Sequence, residues 1–489
     1  MAPLRSGLRP MPTASPVRLT AHRTGWLRYA WGKPRRLWRR SVLTGRLIPS
    51  KPKFIGPSKW RRGWDSNPRF PMLASRLRAT DATSMSEAQP GKPESLTPLE
   101  ADRERPWVQI KTFVSKPNIF RTMIGRASPD ARIGDVVAAY DKDGRLIGYG
   151  FWNPGAPIAL RIFKHTAGKP DDAWFDAAIR RAVSFRREIL ALDATTDAYR
   201  VINADADGFA GLVVDRFADT LSIEVSSYAV LRRLPRWIQI LHEALGTKRE
   251  VVYVDEYVGN IESIQPHEIP RSQVRESRIK ENGIRYEVDF ASGHKTGFFC
   301  DQRDNRKRFA ALVKDKRVLD LCCYTGGFSI SAKLGGASEV TGVDLDEQAI
   351  EMAKRNANLN QARVEFVHAD AFSWVRQMQK NGKTWDVVLC DPPKFVEGRD
   401  DIDVADGLKK YNDLNVLALQ LTPPGSFFVT CSCSGLVTEE QFEDLITKAA
   451  HRYGKRLQIF DRTGAGSDHP NASHHPEGRY LKVLWCRVM

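Results

Sequence analysis

Between residues 106 and about 166 the apolar residues come in short runs: "DVVAAYD" (135–141), "LIGYGFW" (146–152) and "ALRIF" (159–163). Turn-forming "DKDG" (141–144) and "NPG" (153–155) cut them apart. Short apolar runs between turn signals predict strands, so this stretch reads as a small β-rich domain. Over 171–194 the period lengthens. Trp174, Ala177, Ile179, Ala182 and Phe185 recur near helical spacing behind an Asp pair, which predicts one helix. Strand-like runs at 211–217 and 220–226, a helix over 231–245 and the strand "VVYVD" (251–255) make the middle of the chain mixed α and β. Beyond about 285 the alternation becomes regular. The strands are "RVLDLCC" (317–323), "EVTGVDL" (339–345), "VEFVHAD" (364–370), "DVVLCDPP" (386–393) and "SFFVTCS" (426–432). Helical patterns at 326–335, 347–360, 372–381 and 408–421 separate them. Strands spaced by helices predict a parallel, doubly wound α/β sheet, whose ligands bind at the carboxyl ends of the strands.

The unusual residues of this half gather at those ends. The first strand ends near Asp320, and Gly326-Gly327 follows where a helix begins. Glycine there permits close backbone approach to a ligand. The three-glycine dinucleotide fingerprint is absent, and an acidic residue before the turn suits a cationic group rather than a pyrophosphate. Asp344 ends the second strand, 24 residues after Asp320, where a carboxylate can accept both hydroxyls of a ribose. Asp370 ends the third, placed to meet an adenine amino group. The fourth ends Asp391-Pro392-Pro393-Lys394-Phe395. Acids at four successive strand ends, with glycines only at the first, fit S-adenosyl-L-methionine better than a nucleotide phosphate. They point to a class I methyltransferase.

Composition limits the remaining readings. There are seven cysteines, an odd number, and none precedes Cys300. That is no disulfide framework; it indicates a reducing, cytoplasmic setting. Cys322-Cys323 are adjacent and Cys431-Ser432-Cys433 falls short of a C-x-x-C pair, so no metal site is expected. No apolar run reaches membrane-spanning length, and no membrane partner is expected. The net charge of +17 lies wholly in residues 1–84, which hold 19 Lys+Arg against 2 Asp+Glu; residues 85–489 balance. The basic segment shows no sustained period and reads as disordered. "WDSNP" (64–68) can be encoded by a string complementary to a tRNA T-loop, so the expectation is spurious translation ahead of a start at Met85. A basic RNA-binding arm and a transit peptide are the alternatives. Residues 85–104 read as a linker.

Several stretches of 105–489 resemble the bacterial large-subunit (23S) ribosomal RNA cytosine-5 methyltransferase family that carries an N-terminal PUA domain. They are "PWV" (106–108), "ADGFAGLVVDRF" (206–217), "GHKTGFFCDQRDNR" (293–306), "LDLCCYTGGFS" (319–329), "CDPPKF" (390–395), "TCSCSG" (430–435) and "DHP…PEGRYLK" (468–482). The resemblance is dense over the catalytic half and thinner before about 200. "PWVQIKTFVSKPNIFRTMIG" departs from the usual family opening, a basic His-Pro-Trp leading straight into the first PUA strand. The resemblance implies a PUA-like RNA-binding domain (105–168), a middle α/β domain (169–285) and a Rossmann-like class I methyltransferase domain (286–489). It implies that Asp320, Gly326, Asp344, Asp370 and Asp391 line the methyl-donor site. The segment Lys295–Arg303, with Phe298 and Gln302, would close over it. The implied partner is ribosomal RNA, with a homodimer as an open alternative.

The cysteine pair then gains a chemistry. Carbon 5 of cytosine is a poor nucleophile until a thiolate adds at carbon 6, which divides one hard step into easier ones. A base must afterwards remove the carbon 5 proton. Cys431 and Cys433 lie two apart, on one face of an extended segment. The Thr-Cys-Ser run marks Cys431 by resemblance to other RNA cytosine-5 enzymes. Cys433 lies further past the strand, nearer the acceptor, and is favoured. Buried core thiols are the plain alternative for both. Many such enzymes carry another cysteine right after Asp-Pro-Pro, where this chain has Lys394. That leaves Asp391 as base or base-edge contact and Phe395 as a stacking surface. Lys394, Arg303 and Arg306 are the expected RNA contacts; the Arg180/Arg181/Arg186/Arg187 cluster reads as a solvated face. Methylation of a guanine or adenine amino group at Asp391-Pro392-Pro393 needs no cysteine and is the alternative. A non-catalytic RNA-binding protein with a methyl-donor fold is the third.

Overall fold

A computed structural model describes residues 102–112, 116–291, 297–396 and 398–489. The expectations for 1–84 and for most of the linker lie outside the described residues. Six strands form the first sheet: β1 (Trp107–Ile110), β2 (Asn118–Phe120), β3 (Ile124–Ala127), β4 (Val136–Tyr140), β5 (Leu146–Trp152) and β6 (Ile158–Lys164). Their order is β2-β6-β5-β4-β1-β3. All five residues of β4 are buried because both faces of this sheet are covered. Successive side chains of a strand alternate between faces. Val137 and Ala139 therefore enter a core with Val108, Ile110 and Ile119. Val136, Ala138 and Tyr140 enter a second core with Phe175, Trp237 and Leu241 of the middle region. The shared core makes the β4 stretch a continuous apolar run rather than an alternating one.

The middle region holds α1 (Asp172–Ser184), β7 (Ala198–Asn203), β8 (Leu212–Phe217), β9 (Thr220–Val225), α2 (Tyr228–Leu245), β10 (Arg249–Tyr253) and α3 (Glu256–Glu262). Its sheet runs β10-β9-β8-β7. The single helix expected over 171–194 ends instead at Ser184. A π-helical turn follows over Phe185–Ile189, and Ala191 is left-handed at φ 50°. The break accompanies Arg186, expected on a solvated face but fully buried. It binds Asp207 through two hydrogen bonds of 2.7 and 2.8 Å and the carbonyl of Asp468 at 2.9 Å. A hairpin, β11 (Glu276–Glu281) and β12 (Ile284–Asp289), leads into the last region.

That region contains α4 (Arg303–Ala310), β13 (Arg317–Leu321), α5 (Gly327–Leu334), β14 (Glu339–Asp344), α6 (Glu347–Leu359), β15 (Glu365–His368), α7 (Ala371–Lys380), β16 (Val387–Cys390), α8 (Asp401–Gln420), β17 (Phe427–Ser432), α9 (Glu439–His451), β18 (Leu457–Thr463) and β19 (Lys482–Val488). The sheet order is β15-β14-β13-β16-β17-β19-β18. The first five strands are parallel and β19 returns antiparallel against β17. The order reverses at β13, so its end and that of β16 open a crevice at the switch point. α8 starts seven residues before the expected 408, because the Asp400 carboxylate caps it by accepting the Asp403 N–H at 2.8 Å. Cys322 and Cys323 are not on the first strand, as expected, but in the turn beyond it. Pairing ends at Leu321, and Cys322 and Tyr324 have φ of 65° and 47°.

Two buried ion pairs correct the expected RNA surface. Arg303 makes a two-pronged contact with Asp468 at 3.0 and 2.9 Å, and Arg306 one with Glu281 at 2.7 and 2.6 Å. Both arginines are almost fully buried. They tie α4 to the hairpin and to the segment before β19, and they are not available to phosphate. Pairs of this kind fix geometry more than they add net stability.

Candidate active site

Three carboxylates meet at the switch point, those of Asp320 and Asp301 buried and that of Asp391 half-buried. Asp320, in β13, accepts the Ser329 hydroxyl of α5 on Oδ2 at 2.6 Å, while its Oδ1 is buried with no hydrogen-bond partner. Burial pushes its pKa up to about 7, and the Asp344 carboxylate adds to the push. Asp391, just past β16, accepts the Gln302 amide at 2.9 Å. Burial, then the carboxylates of Asp301 and Asp320, raises it to about 7 as well. Asp301 takes the Tyr480 hydroxyl on Oδ2 at 2.6 Å, and its Oδ1 is a second buried oxygen without a partner. Like charges gathered out of water are costly unless a cation joins them. S-adenosyl-L-methionine brings two cationic groups, an ammonium and a sulfonium. The orphaned oxygens of Asp320 and Asp301 fit such a ligand.

Asp344 and Asp370 are at their expected strand ends and carry backbone hydrogen bonds. Asp344 accepts the N–H groups of Tyr324 at 2.8 Å and Asp346 at 2.9 Å, which fixes its orientation. Burial raises its pKa despite these bonds. Asp370 caps α7 through the N–H groups of Phe372 and Ser373. Gly326, left-handed at φ 82°, starts α5. A Cβ there would stand 3.0 Å from the Phe366 ring and 3.1 Å from Ala353. Its missing side chain is thus explained by helix packing rather than by a ligand. Two exposed apolar residues escaped the sequence reading. Leu345, 44% exposed, directly follows Asp344 and offers an apolar face beside its carboxylate. Phe299 is 37% exposed, its ring edge-on to Tyr324 at 5.1 Å. A large apolar residue between two acids, "DLD" at 344–346, was the available signal for Leu345.

Two expected donor contacts are held by partners within the fold. Phe298 is a core residue, packed on Tyr286 at 5.1 Å with the Arg306 guanidinium 4.7 Å over its ring. Gln302 is committed to Asp391. Its Oε1 accepts the Asn305 amide at 2.7 Å, whose own oxygen accepts the Thr463 hydroxyl at 2.7 Å. The Trp485 indole N–H holds that hydroxyl at 2.8 Å. This chain turns the Gln302 NH₂ toward Asp391. Residues 295 and 296 of the expected closing segment lie outside the described residues.

The two thiols differ. None of the seven cysteines, all of them described residues, is in a disulfide. Cys431, in β17, is 0% exposed; the Gln302 amide lies 3.8 Å from its sulfur. Burial, and then the Asp391 charge, pushes its pKa far up. Cys433 lies past the end of β17, half-buried, with its sulfur 3.9 Å from the Pro392 carbonyl. Ser434 binds the two loops together. Its hydroxyl accepts the Val396 N–H at 3.3 Å and stands 3.1 Å from the Tyr411 hydroxyl. Phe395 is half-buried against Tyr411 at 4.9 Å, whereas Lys394 is exposed.

Asp344→Ala is expected to weaken donor binding tenfold to a hundredfold, the roughly 1.5–3 kcal/mol of a hydrogen bond to a charged group. Calorimetry with the donor measures it, and unchanged affinity would show that the ribose lies elsewhere.

The S-adenosylmethionine-dependent methyltransferase family model matches residues 267–470, and that of the PUA-like domain residues 115–165. The chain is 34% identical over 383 residues to ribosomal RNA large subunit methyltransferase I of Enterobacter sp., covering 76% of this chain and 95% of that protein. It is 35% identical over 401 residues to the protein of the same name from Tolumonas auensis, covering 80% and 98%. Among solved structures, an S-adenosylmethionine-dependent methyltransferase from Streptococcus mutans superposes with a TM-score of 0.64 at 21% identity, over 78% of this chain and 99% of that one. A methyltransferase crystallised with SAH does so with a TM-score of 0.63 at 21% identity, over 76% and 95%. These two likenesses concern the fold. With the relatives' length matched almost end to end, the chain belongs to the ribosomal RNA large subunit methyltransferase I family, S-adenosylmethionine-dependent enzymes with a PUA-like domain ahead of the catalytic one.

Proposed function

We propose that this methyltransferase forms 5-methylcytosine in large-subunit ribosomal RNA through a covalent adduct at Cys433. The observation that carries the reading is the contrast between the thiols: Cys431 is sealed within β17, while Cys433 is partly open beside the Asp391-Pro392-Pro393 turn. A half-exposed thiol at a strand end can reach a base turned out of its stack. The Cys433 thiolate adds to carbon 6, forming a carbon–sulfur bond and making carbon 5 nucleophilic. The bound donor supplies a methyl group activated on a sulfonium. Asp391, with a pKa near 7, is matched to accept the proton that leaves carbon 5. As that proton departs, the carbon–sulfur bond breaks and the thiolate is restored.

Incubation of large-subunit ribosomal RNA with the protein and labelled donor, followed by nucleoside mass analysis, tests this. 5-Methylcytidine is the expected product. Methylated guanosine or adenosine would move the reading to an exocyclic amino group held at Asp391-Pro392-Pro393.

Lys394, exposed beside this turn, is the proposed phosphate contact. Lys394→Ala is expected to weaken RNA binding roughly three- to tenfold and to lower the slope of log affinity against log salt by about one. Donor affinity should stay unchanged. An unaltered salt slope would remove Lys394 from the interface.

A further inference from the structure

Lys482 opens β19, opposite Ser432 in the β17 ladder, and is only 4% exposed. Its ammonium donates to the carbonyls of Ser434 at 2.6 Å, Val437 at 2.7 Å and Tyr480 at 2.8 Å. All three of its hydrogens are thus spent on neutral acceptors. Among the described residues no carboxylate forms an ion pair with it. A buried ammonium outside any ion pair is costly, and folded chains seldom keep one without use. Two of these carbonyls, those of Ser434 and Val437, belong to the turn that starts right after Cys433, which brings the ammonium near enough to that sulfur for the two charges to act on each other.

We propose that Lys482 holds Cys433 in its thiolate form, as a positioning residue acting through the sulfur; the inference rests on Cys433 being the nucleophile. It explains why two thiols two residues apart differ in role. Cys431 faces the Asp391 carboxylate, which opposes its ionisation. Cys433 faces an ammonium, which favours it. Burial draws the Lys482 pKa down to about 8, while Cys433 and Glu439 at the start of α9 draw it back up. It therefore stays charged at neutral pH. Tyr411 of α8 and Tyr480 are among the titratable groups near Cys433, and Asp391 and the exposed Lys394 flank the Pro392 carbonyl that its sulfur approaches. Burial, and then the Cys433 charge, holds the Tyr411 hydroxyl un-ionised, and burial does the same for Tyr480. Lys482 is the buried cation of the set.

Alkylation of Cys433 by iodoacetamide, followed against pH on the full chain and located by peptide mapping, tests this. In the wild type the rate should reach half its maximum below the ordinary thiol pKa of about 8.5. Lys482→Met should shift that midpoint upward and slow alkylation at pH 7 about tenfold, as one unit of pKa requires. Its kcat should fall in parallel, with KM for RNA unchanged. A wild-type midpoint at or above 8.5, which needs no variant to fold, overturns the inference. So does a Lys482→Met profile that superposes on the wild type while Cys433→Ala is inactive. If Cys433→Ala methylates at the wild-type rate, the nucleophile reading fails first and the role of Lys482 falls with it.

Discussion

Cys433→Ala is expected to abolish methylation, while Cys431→Ala keeps measurable activity. Removing a covalent nucleophile lowers turnover by roughly a thousandfold or more. The carbon–sulfur bond exists only during the reaction, so donor and RNA binding should be nearly unchanged. Cys431→Ala removes a sealed thiol from β17 and its contact with Gln302, which loosens the hold on Asp391 without touching the acceptor. RNA with 5-fluorocytosine at the target position sharpens the comparison. Fluorine at carbon 5 leaves no proton to remove, the adduct cannot resolve, and a covalent complex should accumulate. Peptide mapping should find it at Cys433. An adduct at Cys431 would exchange the two roles, and a Cys431/Cys433 double alanine variant that still methylates RNA would end the cytosine-5 mechanism.

The positions of these groups were legible to different depths. Asp320, Asp344, Asp370 and Asp391 could be placed at strand ends because strands alternating with helices force a parallel sheet, and a parallel sheet gathers its carboxyl ends on one edge. What each acid binds could not be read that way. Asp370 spends its oxygens on the first turn of α7, and Gln302 and Phe298 serve Asp391 and the core. Arg303 and Arg306 look like a basic patch in sequence, since their partners are distant: Asp468 lies 165 residues from Arg303 along the chain. Ion pairing across such a separation leaves no local pattern. The edge strand β18 was missed for another reason. β18 alternates half-buried with exposed residues at the sheet edge, and a polar-rich edge strand gives a weak apolar signal. Lys482 was visible only as part of "GRYLK"; its burial beside Cys433 depends on β19 pairing with β17.

Asp320→Asn is expected to stabilise the donor-free protein and to weaken donor binding at least a hundredfold. Asp320 is buried with one oxygen unpartnered, and burial raises its pKa from 3.8 to about 7. The folded state thus holds this proton more tightly than the unfolded chain. A raised acid of this kind adds its stability in full below the unfolded pKa, near 4, and loses it as pH rises through the folded pKa, near 7. Above pH 7 the folded protein carries a buried charge that the unfolded chain would hydrate. The difference of about 3 pKa units sets a ceiling of roughly 4 kcal/mol. Asparagine keeps the shape and an oxygen for the Ser329 hydroxyl, but never ionises. At pH 8 the variant should therefore gain about 2–4 kcal/mol against urea, a gain that shrinks at pH 5 and vanishes below about pH 4. The donor sees the opposite effect. A cationic group of the donor would lose a carboxylate able to balance it, and affinity should fall at least a hundredfold, or about 3 kcal/mol. Paired urea titrations at pH 5 and pH 8, with calorimetry of donor binding, measure both. A variant less stable than wild type at pH 8, or one that binds donor equally well, would show that the charge of Asp320 is already balanced from within the fold.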